Sequence, residues 1–444
     1  MANSRKLKFD LQEHVAGVLS PVVPSGSSLL VGLSGGVDSV VLLHLLHQIS
    51  PRFQWRLSAL HVHHGISTHA DSWSAFCATL CAEYAIPLTV EHVDINPLRD
   101  MGIEAAARQL RHSALERQSA DFIALAHHRD DQVETLLLQL LRGAGVRGAS
   151  AMQIFKPRKG KSALVRPLLN IARSELEAYA CEYALHWVED DSNQDVSYPR
   201  NFLRHQVLPV LEQRFPAYRK TLARSAGHFA EAAELMEALA LQDARIAIAD
   251  ARLNVPVLRE FSEARSKNLL RHFLALNKAP IPDATRLTEM LRQLCQAQEG
   301  AQICIAWQGW QLRCYREQAY VLPETLPTVD FEIVWQGEAE ITLPASHGVL
   351  FFKRIHGQGL SLRKLQQGAL TIRSRHGSER ICLDTSRPRQ SLRNLLPQLG
   401  VPPWQRELLP LLYCGDELVL VPGVASASAY LALPDEEGVL VSRQ

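Results

Sequence analysis

Short apolar runs alternate with amphipathic segments through the first part of the chain. "LLVGL" precedes a helical pattern over residues 37–48, and "RLSALHVH" precedes another around "ADSWSAFCATLCAEY". "PLTVEHV" is followed by "IEAAARQLRHSALER", and "FIALAH" by "QVETLLLQLL". Runs that stay apolar suit strands buried on both faces, and the helices between them indicate βαβ units and a covered parallel sheet. Crossovers in such sheets are right-handed, and ligands collect beyond the carboxyl ends of the strands. Those ends carry Ser34 to Ser39, His63-His64 and His127-His128, which is where the polar departures from the pattern cluster.

The pattern dissolves over residues 150–165 into a basic, glycine-containing stretch with "KPRKGKSALVRP", read as a mobile loop. Helical spacing resumes in "SELEAYACEYAL" and "RNFLRHQVLPVLEQRF", and Pro216 closes that unit. Residues 217–298 read as almost entirely helical, followed by hairpins in "AQICIAWQGWQLRCYREQAYVL" and "FEIVWQGEAEITL". A last unit mixes a strand "LTIRSR", a helix "RQSLRNLLPQLG" and strands in "LPLLYCGDELVLVPGV". The expected organisation is α/β: an N-terminal parallel-sheet domain over 1–216, a mostly helical middle domain over 217–343 and a small α+β domain over 344–444.

Composition narrows the class. A chain of 444 residues with 47% hydrophobic and 21% charged residues is globular rather than disordered or fibrous. Its start lacks the apolar core of a secretory signal, and no eighteen apolar residues run together, so the expectation is a cytoplasmic protein without a membrane span. The eight cysteines lack C-x2-C pairs and read as reduced thiols. Histidines at 61, 63, 64, 127 and 128 lack the helical spacing of a zinc site. The net charge of +1 conceals a basic segment from Lys353 to Arg393, which contains Arg373 and Arg375 and makes a polyanion a candidate partner.

The strand–loop–helix junction at Ser34-Gly35-Gly36-Val37-Asp38-Ser39 carries the chemistry. Glycine accepts the positive φ of a nest in which consecutive N–H groups converge, and a helix N-terminus adds about half a positive charge. Phosphate is the natural occupant, yet the loop lacks the Gly-Lys-Ser/Thr ending of a Walker A motif and the spacing of a dinucleotide fold. Asp38 is out of place beside an anion unless Mg2+ bridges the two. A plainer account, with Ser34 capping the helix and Asp38 complementing its dipole, leaves the coincidence of two glycines, two serines and an acid unexplained.

This loop resembles the pyrophosphate loop of the ATP pyrophosphatases, which cleave ATP between its α and β phosphates. "HVHHG" (61–65), "EAAARQLR" (104–111), "AHHRDDQVETLLLQLLRGAG" (126–145), "RPLL" (166–169) and "DDSNQDVSYPRNFLRHQVLP" (190–209) narrow the resemblance to the tRNA(Ile)-lysidine synthetase family. "GVPPWQRELLPLLYCGDELVLVPGV" is similar to that family's C-terminal domain. The resemblance implies an adenine nucleotide hydrolase-like fold and a C–N ligase using ATP and Mg2+. Free L-lysine would join C2 of the wobble cytidine in a CAU-anticodon tRNA(Ile), through an adenylated tRNA, releasing AMP and pyrophosphate. The middle and C-terminal domains would bind tRNA, the latter at its acceptor stem.

The resemblance assigns ATP to Ser34, Gly35, Gly36, Val37, Asp38, Ser39, His63, Arg200 and Arg204, with Asp38 as Mg2+ ligand. Catalytic roles fall to Asp38, Asp130, Asp131, Glu134 and Arg108; substrate contacts fall to Glu104, Arg108, Arg111, Asn201, Arg373 and Arg375. Asp131 and Glu134, three apart at a helix start, share one face and would hold Mg2+ or lysine amines, though Asp-x-x-Glu there also reads as a capping box. Glu104 and Arg108 have the spacing of an ordinary i,i+4 ion pair. Arginine's fork suits phosphate, whereas a solvated basic face is the ordinary account of Arg200 and Arg204. Trp404 reads as a core anchor or a stacking platform. Two other readings stay open: a tRNA thiolase of the same superfamily, using Cys77 and Cys81, and a nucleotide- or RNA-binding module without chemistry. No interface pattern stands out, so a homodimer stays open as well.

Overall fold

The structure, a computed structural model, describes residues 10–65, 67–158, 160–190, 194–297, 303–325 and 327–443, without the side chains of Arg99, Met101, Ile103 and Glu104. The chain divides into two compact units, residues 1–236 and 237–444.

The first unit is built on a six-stranded sheet. Its elements run α1 (Leu11–Leu19), β1 (Ser28–Gly32), α2 (Val37–Phe53), β2 (Arg56–His63), α3 (Ala70–Glu83), β3 (Leu88–His92), α4 (Ile103–Arg117) and β4 (Phe122–Ala124). There follow α5 (Arg129–Leu141), α6 (Val146–Ala149), β5 (Phe155–Lys156), β6 (Ala163–Val165), α7 (Arg173–Glu182), α8 (Pro199–Phe202), α9 (Leu208–Arg214) and α10 (Tyr218–Ala247), the last running on into the second unit. The strand order is β3-β2-β1-β4-β6-β5, parallel except for the edge strand β5. β1 lies between β2 and β4, with Leu30 opposite both Ser58 and Ile123.

Helix α2 explains why the loop before it is held firmly. Val40, Val41, Leu42, Leu43, Leu45 and Leu46 are all fully buried, so the helix is apolar nearly all round and packs between sheet and neighbouring helices. Each such side chain contributes about 1.5–3 kcal/mol on burial. The four residues Leu33 to Gly36 therefore bridge two immobile ends.

Two local expectations fail in this unit. Ala163–Val165, read as loop, is an inner strand pairing with β4, because three apolar residues suffice when both faces are covered. Residues 199–214 are not one helix: five residues, Leu203–Val207, form a π-helical turn between α8 and α9. Pro209 lacks the N–H for a regular turn at that point, which favours the irregularity.

The second unit carries three further cores. Around Phe273, Leu287 and Leu312, helices α11 (Val255–Glu260), α12 (Glu263–Leu276) and α13 (Ala284–Gln296) pack on strands β7 (Ile248–Ala249), β8 (Arg252–Asn254), β9 (Cys304–Trp307), β10 (Trp310–Tyr315) and β11 (Gln318–Pro323). The strand order is β7-β8-β11-β10-β9, so the helical middle includes an antiparallel sheet. The helical pattern read through "ARIAIADARL" breaks at Asp250 and Ala251, both at positive φ in the turn of the β7–β8 hairpin. Farther on, "FEIVWQGEAEITL" does not finish this layer. Its strands β12 (Glu332–Val334) and β13 (Glu340–Thr342) pair instead with Leu370–Arg373 and Val349–His356 in the sheets of the last part of the chain. Long-range pairing decides strand partners, and an alternating pattern does not name them.

Among the described residues, no helix is long and apolar enough to cross a membrane. The N-terminal parallel-sheet α/β domain, helical middle and C-terminal α+β region expected from sequence are all present.

Candidate active site

The loop between β1 and α2 places its polar atoms around one point. Gly35 is at φ +88°, and a Cβ there would lie 2.8 Å from Val188 Cγ2, so only glycine fits. Gly36 is different: it is the extended N-cap of α2, at φ −72°, and needs no positive φ. Ser39 Oγ donates to the Gly36 carbonyl at 2.9 Å and lies 3.1 Å from Ser34 Oγ, so the two serines cross-brace the loop instead of Ser34 capping the helix. From the facing segment, the Val188 N–H donates to the Gly35 carbonyl at 3.0 Å.

Across from this loop, α5 begins at Arg129 with His128 as its N-cap. The His128 N–H donates to Asp131 Oδ2 at 3.0 Å, so Asp131, and not Glu134, closes the capping box. The buried His128 ring then joins the acids. Its Nε2 is 3.3 Å from Asp131 Oδ2 and 3.6 Å from Asp38 Oδ2, and its Nδ1 is 3.7 Å from Asp130 Oδ2. Asp38 Oδ1 is buried without a hydrogen-bond partner.

These charges set one another. Burial disfavours the His128 cation, but Asp131, Asp38 and Asp130 outweigh it and hold its pKa above the ordinary imidazole value. Burial would raise Asp131; His128 and Arg200 overcome it and bring that carboxyl to about 2. His127 moves the other way, to about 3, because burial dominates the attraction of Asp131 and Arg166 and Arg200 repel the proton. His64 falls to about 4, again chiefly by burial and then by Arg111.

A pH dependence follows. His64 and His127 bind protons more weakly when folded than at the unfolded value near 6.5, so their stability contribution is lost as pH falls below about 6.5. His128 has the opposite sign, its contribution being lost as pH rises above its unfolded value, but two lowered groups outweigh one raised. The melting temperature at pH 5 is therefore expected to lie below that at pH 7, before Asp131 titrates. A higher value at pH 5 would contradict these assignments.

Glu134 is the best-satisfied acid of the site. Its side chain is 1% exposed, and Arg200 Nε donates to Oε2 at 2.8 Å while Arg204 donates to Oε1 at 2.7 Å and Oε2 at 3.0 Å. Arg200 also reaches the Thr135 hydroxyl at 3.0 Å. The π-helical turn that contains Arg204 follows the short helix that carries Arg200, and it helps aim both forks at one carboxylate.

Known families match the chain along most of its length. The PP-loop domain family matches residues 7–211, the TilS substrate-binding domain 253–320 and the TilS C-terminal domain 370–442. The tRNA(Ile)-lysidine synthase of Nitrosomonas europaea is 45% identical over 447 residues, covering 100% of this chain and 97% of the relative. The chain belongs to the tRNA(Ile)-lysidine synthase family. The synthase of Azoarcus sp. is 38% identical, covering 93% of this chain and 91% of its own. Among solved structures, a U34-tRNA thiolase from Methanococcus maripaludis with a [4Fe-4S] cluster aligns with a TM-score of 0.44 at 20% identity, over 50% of this chain and 78% of that one.

Within this member of the lysidine synthase family, the expected site residues divide sharply. Ser34 to Ser39, Asp131, Glu134, Arg200 and Arg204 come together. Asp130, expected among the catalytic acids, is anchored to α7 and α10: Arg219 Nε donates to it at 2.6 Å and the Arg173 N–H at 3.1 Å. Glu134, expected among the catalytic acids, pairs with Arg200 and Arg204, the two arginines that were expected to hold ATP. Asn201 is buried and donates to the Asp195 carbonyl at 2.9 Å, which makes it a brace of its own segment. His63 Nε2 lies 3.0 Å from Asp71 Oδ1 at the end of β2. Arg108 and Arg111 are exposed on α4; the side chain of Glu104 lies outside the described residues.

Arg373 and Arg375 belong to the second unit. Arg373 donates to Glu332 at 3.1 Å and covers the Tyr413 ring, and the Arg375 side chain, 11% exposed, donates to Glu379 and to the Arg406 carbonyl. Arg375 is thereby a local structural residue, because a guanidinium this enclosed needs its own counter-charge. In "KPRKGK", Arg158 and Lys161 both pair with Glu116. Trp404 meets Tyr315 and Tyr320 edge-on under Arg313, as a packing anchor. Cys77 and Cys81 are buried, with burial raising their thiols to about 12 and 11, so neither offers the thiolate a thiolase needs. The site neighbour that sequence reasoning did not single out is His128, which lies among Asp38, Asp130 and Asp131; its signal was the His-Asp spacing of "HRDD" at a helix start.

Proposed function

We infer that this chain is a tRNA(Ile)-lysidine synthase: an ATP-dependent, AMP-forming ligase that joins free lysine to C2 of the wobble cytidine of a CAU-anticodon tRNA(Ile). The observation that carries the reading is the end-to-end match to curated synthases, supported by a glycine loop of the required form.

The chain's residues would act as follows. N–H groups at the start of α2 and the cross-braced serines cradle the phosphates that leave as pyrophosphate. Asp38 fits Mg2+, since its Oδ1 is a buried hard oxygen with no other partner. When bound, the ion would neutralise phosphate charge. No group of three His, Cys, Asp or Glu side chains among the described residues is arranged to hold a metal, which suits an ion completed by phosphate oxygens and water. Asp131 stays ionised far below neutrality and is too weak a base to deprotonate an ammonium. Its part is to hold the lysine amine against the activated carbon; the C–N bond would form as the C–O bond to AMP breaks, with the amine's proton passing to water. His128 links Asp131 to Asp38, so it positions both acids. Exposed cations between Lys353 and Arg393 would meet the tRNA backbone, and a tRNA substrate implies a cytoplasmic setting.

The test is AMP release from ATP by purified protein, with and without CAU-anticodon tRNA(Ile) transcript and lysine, and mass analysis of the product nucleoside. AMP formed only with the tRNA, and a cytidine heavier by one lysine, is expected. Adenylated tRNA that ignores lysine would overturn the assigned nucleophile; no turnover at all would favour a binding module.

A further inference from the structure

Strand β1 leaves the sheet where the glycine loop starts, and a side chain of β2 meets it there. In the parallel β1–β2 pair Gly32 stands opposite Leu60, and the Leu33 N–H still donates to the Leu60 carbonyl at 2.9 Å. The next rung of the ladder falls to the Leu33 carbonyl, and His61 Nδ1 lies 3.0 Å from it, in the part that a backbone N–H plays within a sheet. His61 is 5% exposed. It shares a face of β2 with Ala59, which packs in one cluster with Leu33, Val37 and Cys77. Cys77 Sγ lies 3.5 Å from the same ring nitrogen and would lie 3.4 Å from a Cβ at Gly35. His61 and Cys77 thus back the loop from the side of α3.

Geometry fixes which nitrogen carries the hydrogen. Burial lowers the His61 pKa more than the Leu33 carbonyl raises it, so the ring is neutral and has a single N–H. A carbonyl can only accept, which assigns that hydrogen to Nδ1. An anion cradle works when its N–H groups face inward and its carbonyls are held elsewhere, since a carbonyl turned inward would repel phosphate oxygens. Three loop carbonyls are held by donors: Gly36 by Ser39 Oγ at 2.9 Å, Gly35 by the Val188 N–H at 3.0 Å and Leu33 by His61. Ser39 belongs to the cradle and Val188 acts through its backbone. His61 is the donor of the three that a side-chain substitution removes without altering the loop itself.

We propose that His61 is a positioning residue for the reaction: its Nδ1–H holds the Leu33 carbonyl and so sets the peptide planes that aim the loop's N–H groups at the departing pyrophosphate. This rests on the reading of the loop as the pyrophosphate cradle of an AMP-forming ligase and deepens it. His61 touches no substrate; it acts through the backbone that does.

The full-length protein is compared with its His61→Asn, His61→Gln and His61→Leu forms. Asparagine brings an amide N–H close to where Nδ1 stands, glutamine brings the same group to where Nε2 stands, and leucine brings none. Two quantities are measured: the calorimetric Kd of inorganic pyrophosphate with Mg2+, and the ATP KM in the AMP-release assay. Both should rise about tenfold in the Leu and Gln forms and about threefold or less in the Asn form, as expected when one buried hydrogen bond is lost or kept. The KM values for lysine and tRNA should move less than about twofold. Should the Leu form not fold, the contrast between Asn and Gln decides the matter by itself. A lower melting temperature with unchanged pyrophosphate binding would make His61 a residue of stability alone and overturn the proposal; equal weakening in the Asn and Gln forms would do the same. If the expected order appears in pyrophosphate binding while the parent forms no AMP with tRNA and lysine, the brace stands and the ligase reading fails. If AMP is formed and all four proteins bind pyrophosphate alike, the ligase reading stands and the brace fails.

Discussion

Replacing Glu134 with glutamine is expected to lower the melting temperature by roughly 5–10 °C, through loss of about 3 kcal/mol. The carboxylate is 1% exposed and receives both arginine forks, whose side chains are only 21% and 24% exposed. An amide offers one acceptor in place of two charged oxygens, leaving Arg200 and Arg204 facing each other with Asp131 as their nearest counter-charge, 3.8 Å from each. Removing one partner of an enclosed ion cluster is costly because the remaining charges stay desolvated. Activity should fall as well, since the released arginines no longer shape the cleft. Thermal melting of the two proteins at pH 7 decides the matter. Lost activity with an unchanged melting temperature would mean that Glu134 works as a free catalytic acid after all.

Asp38→Asn is expected to show the converse. Among the described residues its Oδ1 has no hydrogen-bond partner and its Oδ2 pairs only with His128, at 3.6 Å, so folding depends little on its charge. The melting temperature should stay within about 1 °C, because long contacts of this kind contribute little to stability. AMP formation should nevertheless drop about a thousandfold if, as proposed, the carboxylate helps hold the Mg2+ that balances phosphate charge. The measurement is AMP release across a Mg2+ titration. A variant that keeps about a tenth or more of the parent rate at ordinary Mg2+ would remove Asp38 from the metal site.

The contrast between these two acids marks how far the chain could be read before folding. The pyrophosphate loop was legible because every signal for it is local: an apolar strand, a glycine that must take positive φ, and a helix start within a few residues. The parallel sheet was legible too, since strands buried on both faces are apolar throughout. Ala163–Val165 escaped because three residues carry too little pattern, and β7–β8 escaped because "ARIAIADARL" keeps helical composition up to a turn set by Asp250 and Ala251. Among site residues, Asp130, Asp131 and Glu134 look alike in "RDDQVE", yet one anchors α7 and α10, one caps α5 and faces the cleft, and one is clamped. Cys77 and Cys81 had a plausible redox spacing that burial cancels.

By itself, then, the amino-acid sequence determined the phosphate-binding junction, the α/β character of the first unit and the family, because these depend on residue type at short spacing. Only the tertiary structure decided which charges meet. Glu134 finds Arg200 and Arg204 from 66 and 70 residues away, Asp130 finds Arg219 from 89, and the buried Nε of Arg166 finds no acceptor among the described residues. Coulomb energies and desolvation penalties are set by distance and burial, and neither is a property of a position along the chain.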